Sequence, residues 1–298
     1  MKKIYNTTFQ RIIDEAKEAL EANEDIISTK ERLKVKINDF FEEKSVLGFD
    51  IYRYSKFPIF EQTLLPFTYK WLYNTTVKNC LLHEPQVFYS FSKFQDFKDS
   101  FIDTGDGGFQ IFDDPLQCIF FAIYFQANIR RFNSYKINRD LREILDEITL
   151  RYAITTDKIF CYDKNYYGPA IINNARILSK DKLNRFLMDE KTHVWLDKNI
   201  NGIENLQSIT FNELKKVVNQ IPISKESGSY IIGDETNSNR IINTDILKIG
   251  EIEAKKDTYS IYSLHLQVLM HSSFPDNQLG KYTVSLGNLN TTGISEDR

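Results

Sequence analysis

Cysteine is scarce in this 298-residue chain, with Cys80, Cys118 and Cys161 widely spaced, odd in number and each set in an apolar stretch. That pattern excludes a disulfide framework and predicts reduced, buried thiols in a reducing compartment, the cytoplasm. Histidine is almost as scarce. His83, His193, His265 and His271 show no zinc-ligand spacing and read as structural or surface groups. No run approaches the roughly 18 apolar residues of a membrane span, and the N-terminus carries no apolar signal-peptide core, so neither a membrane span nor export is expected. Positive charge is not in excess either: 38 Lys and Arg against 41 Asp and Glu leave a net charge of −3. A surface for DNA or RNA is therefore not expected, and the partner implied is a small anion gathered at a local positive site. There is no internal repeat.

What the chain does have is apolar content, 42% of its residues, enough to bury a core as one large domain or one domain with an appendage. Residues 1–44 read as a helical N-terminal appendage: Phe9, Ile12, Ile13, Ala16 and Leu20 recur at helical spacing, and a Ser28-x-x-Glu31 capping box opens a second helix through Phe41. Its role stays open between covering one face of a sheet, bracing a dimer and sensing a trigger. The main domain spans 45–270. Pro58 marks a helix start, Phe60 to Trp71 a helix kinked at Pro66, and Asp114-Pro115 opens a helix to about Arg131 so apolar that it must be buried. Residues 222–246, rich in Ser, Gly, Asn and acidic groups, read as an exposed loop or hairpin inserted before a final strand near 257–269. Residues 271–298 read as a loose polar tail.

Three segments carry the chemistry. In residues 101–113, two apolar, aromatic-rich runs flank Gly105-Asp106-Gly107, which places Asp106 at the tip of a hairpin with room beside it for a metal-bound phosphate. In residues 46–55, Asp50 interrupts another apolar strand, and a carboxylate there is costly unless something cationic satisfies it. If the strands are neighbours, the two aspartates would share a pair of divalent ions, the arrangement that clamps attacking and leaving oxygens in phosphoryl transfer. Downstream, residues 150–160 read as strand, polar turn and strand. After Gly168-Pro169, apolar residues at 171, 172, 175 and 178 give a helix that leaves Asn173, Asn174 and Arg176 on other faces.

In this order and with this local chemistry the three segments resemble the class III nucleotidyl cyclase catalytic domain. The shared pattern is Asp50-Ile51-x-x-Tyr54-Ser55, then Gly105-Asp106-Gly107, then a strand-turn-strand, then a Gly168-Pro169-Ala170 helix ending in Ala175-Arg176-Ile177-Leu178, covering roughly residues 45–196. The resemblance implies an α+β fold, with a central, mainly antiparallel sheet under covering helices in a β-α-β-β-α-β-like order. It implies Asp50, Asp106 and the Ile51 carbonyl as ligands of two Mg2+ or Mn2+ ions per site, Ser55 facing the triphosphate, and Arg176 stabilising charge on the α-phosphate. A phosphate-binding lysine is implied at Lys255 or Lys256. Family members work as head-to-tail homodimers that share their active sites, the carboxylates coming from one subunit and the arginine from the other.

Departures from the family pattern narrow the substrate. The lysine that reads adenine, four residues before the second metal aspartate, is replaced by Ile102. The other base-selecting position falls on Asn165, which fits neither purine pattern. The catalytic asparagine four residues before the arginine is Ile172 here, with Asn173 the nearest substitute. The aspartates also stand 56 positions apart, a longer spacing than is usual in the family. With Tyr52 and Tyr54 in the first motif as candidates to stack on a small base, the chain is most similar to the pyrimidine cyclases of the bacterial Pycsar antiphage system. Those make cyclic CMP or cyclic UMP from CTP or UTP, and the product alone links them to a toxic effector that senses it. Two other readings stay open: a purine cyclase with an unusual pocket, and a nucleotide-binding sensor of the same fold with little turnover.

Overall fold

Alternation along residues 46–51 sets the architecture. Leu47, Phe49 and Ile51 belong to a large apolar core, whereas Val46, Gly48 and Asp50 lie on the opposite face of the same strand. The computed structural model describes residues 3–4, 6–22, 24–217, 231, 239–254, 257–273, 279–290 and 292–294. In chain order the elements are β1 (Lys3–Ile4), α1 (Asn6–Glu21), α2 (Ile26–Asn38), β2 (Glu42–Ile51), α3 (Ile59–His83), α4 (Phe94–Asp99), β3 (Phe101–Asp103), β4 (Gly107–Phe112), α5 (Pro115–Asn133), α6 (Arg139–Ile144), β5 (Leu150–Tyr162), β6 (Asn165–Tyr167), α7 (Pro169–Lys180), β7 (Phe186–Asp189), α8 (Glu190–Ile200), α9 (Phe211–Val217), β8 (Arg240–Ala254), β9 (Asp257–Ser273) and β10 (Leu279–Leu286).

The fold is α+β with a mainly antiparallel sheet, in the order β3-β4-β2-β5-β7-β9-β10, with β8 on the other edge of β9. Among the described residues parallel pairing is confined to β5–β7, joined by the α7 crossover, and to the short β1–β5 contact. On one face α5 inserts Ile119, Phe120, Phe121, Phe125 and Ile129, all nearly inaccessible, beside Leu65, Tyr69, Leu72, Tyr73 and Val77 of α3. The helix expected from Asp114-Pro115 is thus buried as its composition requires, with the Asp114 carboxylate accepting from the Gln117 N–H at its start. On the other face lies α7. No described helix is long and apolar enough to cross a membrane.

Several local expectations change. The second helix of the appendage is capped by Asp25, whose side chain accepts from the Ser28 N–H, and not by Ser28 itself; it ends at Asn38. The helix expected to end at Trp71 continues to His83 through Pro66, because its core-facing stripe continues through Leu72, Val77 and Cys80. Residues 150–160 hold no turn: Thr155 and Thr156 are buried within one continuous β5, their hydroxyls bonded to the Ala170 carbonyl and to Ser45 and Thr192. The reversal comes at Asp163-Lys164, both left-handed (φ 48° and 63°), as a two-residue hairpin loop requires. The polar tail contains β10, whose Val284 and Leu286 enter the core. Beyond it, the chain straps across the α7 side, where the Ile294 N–H donates to the Ile249 carbonyl and Thr292 accepts from Arg185. The expected insertion overlaps β8 from residue 240 onward; residues 222–230 and 232–238 lie outside the described residues.

Candidate active site

The hairpin between β3 and β4 sets Asp106 beside Asp50. Asp103 accepts from the Gly105 N–H at 2.9 Å and Gly105 is left-handed (φ 97°), which closes the turn. Gly107 lies directly opposite Asp50 in the sheet, and a Cβ on it would stand 2.1 Å from the Phe49 carbonyl oxygen, so only glycine lets β4 lie this close to β2. The Ile51 N–H then donates to the Asp106 carbonyl at 2.9 Å. The Asp106 carboxyl is held above the usual carboxylate range, first by burial and further by the Asp50 charge, with Arg151 opposing. Asp103 is engaged elsewhere, 2.7 Å from Lys70.

Asp50 has a cation on its other side. Arg151 is its direct partner on β5, and its guanidinium grips the carboxylate as a fork, Nε 2.5 Å from Oδ1 and Nη2 2.8 Å from Oδ2. Burial works against the Arg151 charge, but the Asp50 hydrogen bonds and charge outweigh it and raise the arginine pKa.

Past Ile51 the chain leaves the sheet, so Tyr52, Tyr54 and Ser55 stand on a turn and not on the strand expected for residues 46–55. Arg53 is left-handed (φ 60°), and Tyr54–Lys56 form a 3-10 turn. The Tyr54 ring packs on the core and its hydroxyl donates to the Gln62 carbonyl. Tyr52 donates to the Lys182 carbonyl at 2.8 Å and carries the Arg53 guanidinium over its ring. Ser55 is exposed.

Helix α7 starts where Gly168 (φ 142°) crosses β5; a Cβ there would meet the Lys158 carbonyl at 2.4 Å. Asn174 seats the helix. Its buried amide donates to the Val46 and Ala153 carbonyls and to the Thr155 hydroxyl, directly above Gly48. Asn173 and Arg176 lie together, with Arg176 Nη1 3.3 Å from Asn173 Oδ1, and the Tyr259 hydroxyl of β9 is 3.5 Å from the same oxygen. Ile172 is 52% exposed. Ile102, Phe109, Tyr166 and Ile171 pack around Val46, Ile111, Ile159 and Ala170 beside the start of α7. Asn165 is exposed next to them, its side-chain oxygen accepting from the Tyr166 N–H. Tyr166 donates to the Asp99 carbonyl, and its phenol is pushed up to about 12, chiefly by burial. Lys255 and Lys256 lie outside the described residues.

The structure therefore gathers the predicted residues into two groups: Asp50, Ile51 and Asp106 at one place, and Asn173 with Arg176 at another. Among the described residues no hydrogen bond or ion pair joins one group to the other. Tyr259 and Asp50 stand on strands three places apart, roughly 14 Å at ordinary strand spacing. Arg151 and Tyr259 went unnoticed in the sequence, since only the strand register and the position of β9 bring them to these groups. No group of three or more His, Cys, Asp or Glu suited to a metal is present among the described residues. Two adjoining carboxylates nevertheless fit Mg2+ or Mn2+, which take one or two carboxylates and complete their shells with phosphate oxygens and water. The raised Asp106 pKa and the fork on Asp50 both mark a place where negative charge asks for a cation.

No family model and no curated protein matches the chain. Solved structures do. An adenylate/guanylate cyclase/hydrolase from Silicibacter pomeroyi is 12% identical, covering 75% of this chain and 96% of its own, with a TM-score of 0.42. The adenylyl cyclase CyaB from P. aeruginosa is 15% identical over 75% of this chain and 95% of its own, with a TM-score of 0.40. The catalytic core of a rhodopsin-guanylyl cyclase with converted specificity, in complex with ATPalphaS, is 11% identical with the same coverages and a TM-score of 0.42. Likenesses of this size carry no argument about this chain's fold or its chemistry.

Proposed function

We propose that this chain is a nucleotidyl cyclase that converts CTP or UTP to the cyclic 3′,5′-monophosphate and pyrophosphate, a second messenger in antiphage defence read by a separate effector. The observation that carries the reading is the placement of Asp50 and Asp106 side by side, tied by the Ile51 to Asp106 backbone bond and by the Asp50–Gly107 pairing. Asp50, Asp106 and the Ile51 carbonyl would hold two Mg2+ or Mn2+ ions, which when bound supply a more acidic ribose 3′-hydroxyl and neutralise triphosphate charge. Arg176 would place its fixed fork on the α-phosphate as the 3′-oxygen bonds to phosphorus and the bond to pyrophosphate breaks. Asn173, bonded to Arg176, would set that fork's orientation, and Ser55 would meet the triphosphate.

The separation of the two groups supports a homodimer with shared sites. Within its own chain Arg176 is bonded to Asn173 and makes no hydrogen bond or ion pair with either carboxylate, and a second copy arranged head to tail would supply the missing half. Pyrimidine selectivity is supported by the apolar surroundings of Ile102, which packs with Phe109, Tyr166 and Ile171 around Val46, Ile111, Ile159 and Ala170 in a cluster that holds no lysine to read adenine. Asn165 would meet the base edge, with either its donor or its acceptor.

The test is product analysis. Purified chain with Mn2+ and each of ATP, GTP, CTP and UTP should yield a cyclic pyrimidine nucleotide on chromatography, about a hundredfold faster than a purine one, equivalent to about 3 kcal/mol in the transition state. Cyclic AMP or cyclic GMP as main product removes the pyrimidine assignment. Nucleotide binding with no product from any of the four leaves the sensor reading in its place.

A further inference from the structure

The Arg151 guanidinium stands where a divalent ion would bind Asp50. Both carboxylate oxygens are engaged by its fork, and its third arm, Nη1, donates to the Asp181 carbonyl at the C-terminal end of α7. Strand register builds this in: Asp50 faces Arg151 on β5 and the side-chain-free Gly107 on β4, so its flanks are a cation on one side and the Asp106 turn on the other. The pair is largely withdrawn from water, with side-chain exposures of 22% and 18%.

We infer that Arg151 is a resident counter-ion of the metal site, which a divalent ion must displace from Asp50. The inference rests on the reading of Asp50 and Asp106 as metal ligands and extends it to a residue that sets how readily metal enters. Like charges repel most at close range in a partly dehydrated place, so a divalent ion and the guanidinium do not share Asp50 without loss of affinity. A planar fork suits phosphate as well as carboxylate. An arriving triphosphate therefore offers Arg151 a second partner while the Asp181 carbonyl keeps hold of its third arm. Metal and nucleotide then enter together, and metal alone enters poorly.

A residue that merely clips β2 to β5 would behave oppositely, since its loss would loosen Asp50 and weaken metal binding. Mn2+ binding to the full chain, followed through the paramagnetic resonance of the free ion without nucleotide, separates the two. Arg151→Gln should bind Mn2+ roughly tenfold or more tightly than the unaltered chain, about the effect of one like charge at short range. Adding Asp106→Asn should abolish the gain. Arg151→Lys, which keeps the charge but loses the fork, should fall between them, and it carries the test if Arg151→Gln does not fold by circular dichroism. Unchanged or weaker Mn2+ binding in the folded variants overturns the inference, as does a gain that survives Asp106→Asn. Absence of Mn2+ binding in every variant, with CTP present as well, overturns the metal-site reading itself.

Discussion

The two faces of one sheet do different work here, and β2 shows the division within six residues. Toward α3 and α5, Phe49 sits among the rings of Tyr69, Tyr73, Phe101, Phe121, Phe125 and Tyr152. Toward α7, Gly48 lies under the Asn174 amide and Asp50 is gripped by Arg151. The first face gains its free energy from apolar area and close packing and has no polar task. The second buries charge and amide groups, Asp50 matched by Arg151 and the Asn174 amide nitrogen by the Val46 and Ala153 carbonyls while Asn174 Oδ1 is left without a hydrogen-bond partner, and such groups add little net stability. Because side chains alternate with a period of two, stability and chemistry are set by different residues of the same strand.

Two substitutions a few ångströms apart should separate these roles most sharply. Asp106→Asn should lower turnover by about a thousandfold or more, since a neutral amide cannot help hold a divalent ion. It should leave stability equal or slightly higher, because burial and the Asp50 charge already disfavour ionisation of Asp106 in the folded chain. Phe49→Ala should cost about 3–5 kcal/mol in urea denaturation, the usual price of emptying an aromatic site in a close-packed core. A destabilised Asp106→Asn, or a Phe49→Ala that unfolds at the same urea concentration as the parent, would merge the two faces again.

Legibility in the sequence follows the same division. Asp106 between glycines, Asp50 alone in an apolar run, and Gly168-Pro169 before a helical pattern are local signals, and the structure places all three as hairpin tip, strand end and helix start. Arg151 carries no local signal, because its meaning lies in being opposite Asp50 across a strand pair formed by residues 101 positions apart. Thr155 and Thr156 read as a turn because their hydroxyls look solvent-seeking, yet each finds a buried partner on another element. Tyr54 read as a candidate base-stacking residue, but the backbone turns at Arg53 before the alternation of β2 reaches it. The strand β10 was hidden by polar neighbours on its exposed side, although Val284 and Leu286 keep the inward alternation.

A smaller change tests how tightly the α7 side is seated. A Cβ on Gly48 would fall 1.8 Å from Asn174 Oδ1 and 2.8 Å from Leu178 Cδ1. Asn174 is fixed by three donated bonds and has little freedom to withdraw. Gly48→Ala should therefore lift α7, cost about 1–3 kcal/mol, and reduce turnover through displacement of Arg176. Equal stability with full turnover would show that α7 rides loosely on the sheet and that Asn174 is not its seat.

The smallest effect concerns carboxylates that differ in their company. Asp50 has a guanidinium fork; Asp114, buried at the start of α5, has backbone N–H groups and the adverse charge of Asp113, while Lys44 is spent on Asp113 itself at 2.5 Å. Burial first, then Asp113, pushes the Asp114 pKa up to about 7. A folded-state pKa above the unfolded value, about 3.9, means that the folded chain binds the extra proton. Stability is then greatest below about pH 4, falls as pH rises toward 7, and levels off above it. Asn serves as a helix cap nearly as well as Asp, so Asp114→Asn should keep the fold and remove this contribution. Urea denaturation should show a pH slope shallower by about 1 kcal/mol between roughly pH 5.5 and 6.5. A residual slope of the same sign is expected from Asp189, which burial raises to about 6. An identical slope in parent and variant would mean that Asp114 ionises at an ordinary pH despite its burial, and that a buried carboxylate on the core side needs no cation of the kind Asp50 has.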